Sequence, residues 1–148
     1  MIKPQNEIKL TMPSCSANES FARAAVAAFA AQADPLVDEL ADIKTAVSEA
    51  VTNCIVHAYR DCTGMIWIEC RMYEGGRLMV RIRDKGCGIA NVKQAMEPLF
   101  TTGGEDRAGL GFAVMQSFMD KLRVTSKPGK GTLIVMEKNL TRKSGRHD

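Results

Sequence analysis

No stretch of the 148-residue chain approaches the roughly 20 apolar residues of a membrane-spanning helix. Its opening, MIKPQNEIKLTMP, also lacks the apolar segment of a secretory leader. The five cysteines (Cys15, Cys54, Cys62, Cys70 and Cys87) are odd in number and form no CxxC pair, and one of the only two histidines sits in the tail. That usage speaks against a zinc site and a disulfide framework, and for reduced thiols in a cytoplasmic protein. Excess charge is missing too. Arg142, Lys143 and Arg146 against Asp148 put +2 of the net +3 in the last eight residues, so the body is close to neutral. A nucleic-acid binder would carry a basic patch, and none is visible. Without internal repeats or low-complexity linkers, the expectation is one domain over 1–140, followed by a flexible polar tail at 141–148.

What is present reads as an α+β order of elements. Ile8, Leu10 and Met12 alternate in a first strand, and Ser16 to Glu19 has the spacing of a capping box before an alanine-rich helix to about Ala33. Asp34-Pro35 breaks that helix, and a second is expected from Leu36 to Tyr59. MIWIECRM and RLMVRIRD, joined through Tyr73-Glu-Gly-Gly76, predict an antiparallel hairpin. A short helical patch near Asn91–Met96, a polar mobile loop over 97–108 and a helix from about Gly109 to Asp120 follow. KLRVTSK and TLIVMEKNL are the last strands, around the turn Pro128-Gly-Lys-Gly131. The sum is a two-layer sandwich, its sheet antiparallel or mixed and its helices on one face.

Within the second helix, EAVTNCIVHAY spaces Glu49, Asn53 and His57 four residues apart, beside an apolar arc of Val47, Ala50, Val51, Cys54, Ile55 and Ala58. Such a stripe either borders a cleft or is an ordinary hydrogen-bonded pair with a satisfied histidine. DKGCG places Asp84 at a strand end beside Gly86 and Gly88. That pattern suits a carboxylate receiving a nucleobase amine, or a glycine loop with an aspartate cap. TTGGEDRAGLGF ends a polar segment at a helix N-terminus, where free N–H groups can meet phosphate, and Arg107 is a phosphate partner, a protein contact or a solvated charge. PGKGT lacks the earlier glycine of a P-loop and lies between strands. Neither Gly86–Gly88 nor Gly109–Gly111 completes a G-x-G-x-x-G fingerprint.

Taken in order, EAVTN, DKGCG, TTGGEDRAGLGF and PGKGT resemble the GHKL superfamily, which includes DNA gyrase and the histidine kinases. NESFARAAVAAF, EAVTNCIVHAY, EPLFTT and SFMD narrow the resemblance to the small anti-sigma kinases of spore-forming bacteria, in the branch directed at sigma factor F. The resemblance implies a Bergerat-type ATP-binding fold and ATP-dependent serine kinase activity. It implies that a sporulation sigma factor of the F type is held inactive and that a serine of an anti-anti-sigma factor is phosphorylated. ATP or ADP with Mg²⁺ is the implied cofactor, and a homodimer the implied assembly. By the same likeness Glu49 is the general base and Asn53 the Mg²⁺ ligand. Asp84 receives adenine, Gly86 and Gly88 allow close approach, and Thr132 offers a hydroxyl at the nucleobase. Thr101, Thr102, Arg107, Gly109 and Gly111 lie about the phosphates. Gly103 stands where relatives often have lysine, which leaves Arg107 as the cation of that loop, and no further glycine precedes Gly109. With only 35 residues before the second helix, no hairpin for a phosphoacceptor histidine fits, so the acceptor is expected on another molecule. Arg23, a lone charge in the first half of an apolar helix, is the expected partner contact. The stress-response anti-sigma kinases, a nucleotide-gated binding module and a plain ATPase remain as alternative readings.

Overall fold

The computed structural model describes residues 2–96 and 108–141. Five strands, β1 (Asn6–Pro13), β2 (Met65–Tyr73), β3 (Arg77–Asp84), β4 (Lys121–Lys127) and β5 (Gly131–Asn139), form one sheet in the order β1-β2-β3-β5-β4. Every pairing among them is antiparallel, so the antiparallel-or-mixed expectation narrows to an antiparallel sheet. The β2–β3 turn works because Gly75 and Gly76 both take positive φ, at 85° and 86°. Alternation then sorts the faces. Ile68, Ile82 and Ile134 are in register across three strands and are all buried, and each contributes about 1.5–3 kcal/mol relative to exposure. The opposite face bears charge: Glu69 pairs with Lys9, Arg71 and Arg81 at 3.8, 3.0 and 3.7 Å.

The helices α1 (Ala17–Ala30), α2 (Val37–Thr52) and α4 (Ala108–Phe118) cover the apolar face, with α2 packed against both others. Their inward residues recur at helical spacing: Ala22, Val26 and Phe29 on α1, Ile43, Val47 and Ala50 on α2, and Phe112 and Met115 on α4. Helix α3 (Val92–Ala95) is a single turn capped by Asn91, whose Oδ1 accepts the Gln94 N–H at 2.9 Å.

Two local expectations are corrected. Ser16 is itself in helical geometry and makes no capping bond. Its neighbour Asn18 instead donates its side-chain amide to the Pro13 carbonyl, and Glu19 sits 3.6 Å from Arg23 as an i,i+4 ion pair. The carboxylate that does meet a helix entry is Glu39, which accepts the Leu36 N–H at 3.0 Å and also the Thr141 N–H. The second correction concerns the helix expected to run from Leu36 to Tyr59. It is α-helical only through Thr52, and residues Asn53–Ala58 wind as a π-helix. The Tyr59 N–H reaches the Cys54 carbonyl, five residues back, at 3.1 Å.

Candidate functional site

A cavity of about 530 Å³ opens where the π-helical turn, the loop after β3 and the start of β5 meet. Asn53, His57, Asp84, Gly88, Phe112 and Thr132 are among its lining residues. The wide turn at Asn53–Ala58 is held from outside. Tyr59 Oη donates to the Met65 carbonyl at 2.6 Å and accepts the Lys85 N–H at 2.7 Å, and the Ala58 carbonyl accepts the Cys87 N–H at 3.0 Å. Those bonds connect the end of the helix to both strands beneath it, so the turn's exit is fixed by tertiary contacts and not by helix propensity.

Asp84 ends β3 with 4% of its surface exposed. Its Oδ1 accepts the N–H of Gly86 at 2.9 Å and of Thr132 at 3.2 Å, and Oδ2 accepts the Cys54 thiol at 3.5 Å. Burial nevertheless pushes the carboxyl above its ordinary value, against the lowering effect of those three donors. Thr132 is also buried, and its hydroxyl shares a 2.8 Å hydrogen bond with Ser126 Oγ. Ser126 in turn accepts the Ile89 N–H at 2.8 Å, which fastens the loop after Gly88 to β4.

The glycines on this side allow close approach. A Cβ on Gly86 would collide with Ala58, and one on Gly88, whose φ is 77°, with the Lys127 carbonyl. Gly131, at φ 93°, lies against the Asp84 carbonyl in the same way. At the other end, α4 brings Gly111 against two of the expected site residues. A Cβ there would stand 3.1 Å from Glu49 Oε2 and 3.4 Å from Asn53 Oδ1. Asn53 Nδ2 is buried and has no hydrogen-bond partner among the described residues. That orphaned donor and the adjoining glycine fit a polar ligand extending along the helix towards Glu49.

Not every expected residue joins the cavity. Glu49 lies just beyond it, at the end of a groove between α1 and α2 that Arg23, Lys44 and Ser48 also line. Arg23 is therefore on the Glu49 side of the molecule, half-exposed and already paired with Glu19. Gly109 falls in the first turn of α4. Thr101, Thr102 and Arg107 lie outside the described residues, as do most of the expected loop and the tail after Thr141. Sequence reasoning passed over Cys54, Tyr59 and Ser126. Cys54 falls in the apolar arc, Tyr59 only closes the EAVTNCIVHAY stretch and Ser126 carries no motif; their partners reveal them.

The model of the family described as histidine kinase-like ATPase domain matches residues 13–138. An anti-sigma F factor of a Thermoanaerobacter species is 56% identical over 136 residues, covering 91% of this chain and 94% of that protein. The anti-sigma F factor of Caldanaerobacter subterraneus is 56% identical over 138 residues, covering 93% and 96%. Among solved structures, the RsbU and RsbW domains of a Mycobacterium tuberculosis protein superpose with a TM-score of 0.68 at 20% identity, over 93% of this chain and 33% of that one. The histidine kinase domain of a blue-light-activated kinase from Erythrobacter litoralis gives 0.55 at 22% identity, over 85% and 63%. At those identities the structural likeness is one of fold, whereas the sequence relatives and the matched family model are decisive about kinship: the chain belongs to the histidine kinase-like ATPase domain family and, within it, to the anti-sigma F factors.

Proposed function

We propose that this anti-sigma factor binds a sigma factor of the F type and uses ATP to phosphorylate a serine of an anti-anti-sigma factor. The observation that carries the ATP-using part is the buried Asp84, held by three donors at the wall of a cavity that reaches Asn53, with Glu49 just beyond it. An adenine amine is the kind of donor such a carboxylate selects, and Gly86 and Gly88 let the loop beside it pack closely on Ala58 and Lys127.

Among the described residues no three His, Cys, Asp or Glu side chains gather to hold a metal ion. Asn53, whose carboxamide oxygen borders the space that Gly111 leaves open, would be the chain's ligand for Mg²⁺, with the triphosphate supplying the anionic oxygens. When bound, that ion neutralises phosphate charge. Glu49 takes the proton of the incoming serine hydroxyl, which arrives through the α1–α2 groove beside Arg23. Gly111 keeps the space between Glu49 and Asn53 clear, and Thr101, Thr102, Arg107 and Gly109 complete the phosphate end. Transfer in such a site depends mainly on positioning and charge neutralisation. In this reading Arg23 belongs to the partner surface, residues 1–140 act as one unit, and the protein works as a cytoplasmic homodimer.

The test is incubation with labelled ATP and a candidate anti-anti-sigma protein, followed by phosphosite mapping. Label on a partner serine, together with nucleotide-dependent capture of the sigma factor, supports the proposal. Capture without transfer would leave a nucleotide-gated binding module, and phosphate release without a partner would leave a plain ATPase. Capture of a stress-response sigma factor in place of the F type would reassign the branch.

A further inference from the structure

Asp84 has more partners than an adenine acceptor needs, and their distribution between its two oxygens is uneven. A carboxylate offers about four lone-pair positions. Both positions on Oδ1 are occupied, by the Gly86 and Thr132 N–H groups. Oδ2 receives one donor, the Cys54 thiol, at 3.5 Å. The acceptor position left for a ligand is therefore the second one on Oδ2, the oxygen that Cys54 touches.

We propose that Cys54 is a positioning residue for nucleobase recognition: its thiol fixes Asp84 Oδ2 so that the remaining lone pair faces the cavity and accepts an exocyclic amine. The inference rests on the reading of Asp84 as the adenine acceptor. Cys54 is fitted for this on two counts. It is 1% exposed, so water does not compete for the thiol. It stands on the π-helical turn next to Asn53, and its own carbonyl anchors that turn through the Tyr59 N–H, so its place is rigid. With the thiol as fixed donor, Asp84 is kept an acceptor. The site then favours a base that presents N–H at position 6 over one that presents a carbonyl or a bare C–H.

Calorimetric titration of the wild type, Cys54→Ala and Cys54→Ser with Mg·ATP and with Mg·purine riboside triphosphate, which lacks the 6-amino group, separates the roles. The wild type should prefer ATP. Cys54→Ala should lose about 3–10-fold in ATP affinity, less than deletion of a hydrogen bond to a charged group because the amine's bond is misdirected and not removed, and change its affinity for the deaminated nucleotide less than about 2-fold. Cys54→Ser, with a hydroxyl donor of similar size, should recover most of the ATP preference. Equal losses for both nucleotides in Cys54→Ala, or no loss for either, would overturn the proposal, because a packing role cannot tell the two bases apart. A wild type that binds both nucleotides equally would overturn the reading of Asp84 and this inference with it.

Discussion

Asp84 and Asn53 face the same cavity, yet the first has its carboxylate held by three donors, whereas the second has an amide nitrogen without a partner among the described residues. The difference extends to their surroundings. Around Asp84, backbone from β3, the following loop, β4 and β5 is cross-bonded through Ser126 and Thr132, and the glycines there touch their neighbours. Around Asn53 and Glu49 the neighbour is Gly111, which supplies no side chain. One end of the site is built by the protein alone. The other is built to be finished by what enters. Buried donors left unpaired are costly, so the second end stores an affinity for a polar group while the first stores selectivity for a shape.

The largest expected effect belongs to the unfinished end. Glu49→Gln keeps the size and hydrogen bonding of the side chain but cannot take a proton. Transfer to the partner serine should fall by about 10²–10⁴-fold in single-turnover assays at saturating ATP, with nucleotide and sigma binding unchanged. Transfer within a few-fold of the wild type would remove Glu49 from the chemistry.

Next is the prebuilt end. Asp84→Asn turns an acceptor towards the amine into a mixed group, and ATP affinity should fall by about 10–100-fold, the range for a hydrogen bond to a charged partner. Unaltered affinity in a folded variant would show that the amine is read elsewhere.

A smaller effect should come from pH. Burial raises the Asp84 carboxyl, so it takes up its proton at a pH above the ordinary aspartate range and ATP affinity should decline there. For folding the sign is opposite. A raised carboxyl contributes stability that is fully present below its unfolded value and lost as pH rises through the folded one. Mild acid should therefore weaken nucleotide binding without destabilising the fold through this group. Titration of affinity and melting temperature together checks it; parallel declines assigned to Asp84 would contradict the shift.

The same contrast explains what was readable in the sequence. The hairpin at Gly75-Gly76, the alternation in β2 and β3 and the strand-end position of Asp84 follow from local chemistry, and the structure has them. The neighbourhood of Glu49 and Asn53 follows from helical spacing, because both lie before the winding changes or at its first residue. The π-helical turn does not follow, since its exit is tied by Tyr59 to the Met65 carbonyl and Lys85 N–H, groups 6 and 26 residues away in sequence. Cys54 was hidden for a related reason. Small and apolar by composition, it shows its use only once β3 delivers a carboxylate beside it. At Ser16 the local signal was present, but the chain entered the helix one residue early and left the hydroxyl unused.

If the nucleobase end is complete by itself and Mg²⁺ and triphosphate complete the phosphate end at Asn53, as proposed, the two ends should respond separately to one substitution. Calorimetry of Asn53→Ala with adenosine, and with ATP in the presence and absence of Mg²⁺, measures both. Adenosine affinity should stay within about 2-fold of the wild type while the Mg²⁺-dependent gain in ATP affinity disappears, because Asp84 keeps its donors when the carboxamide is gone. A folded variant that loses adenosine binding, or that keeps the full Mg²⁺-dependent gain for ATP, would contradict it.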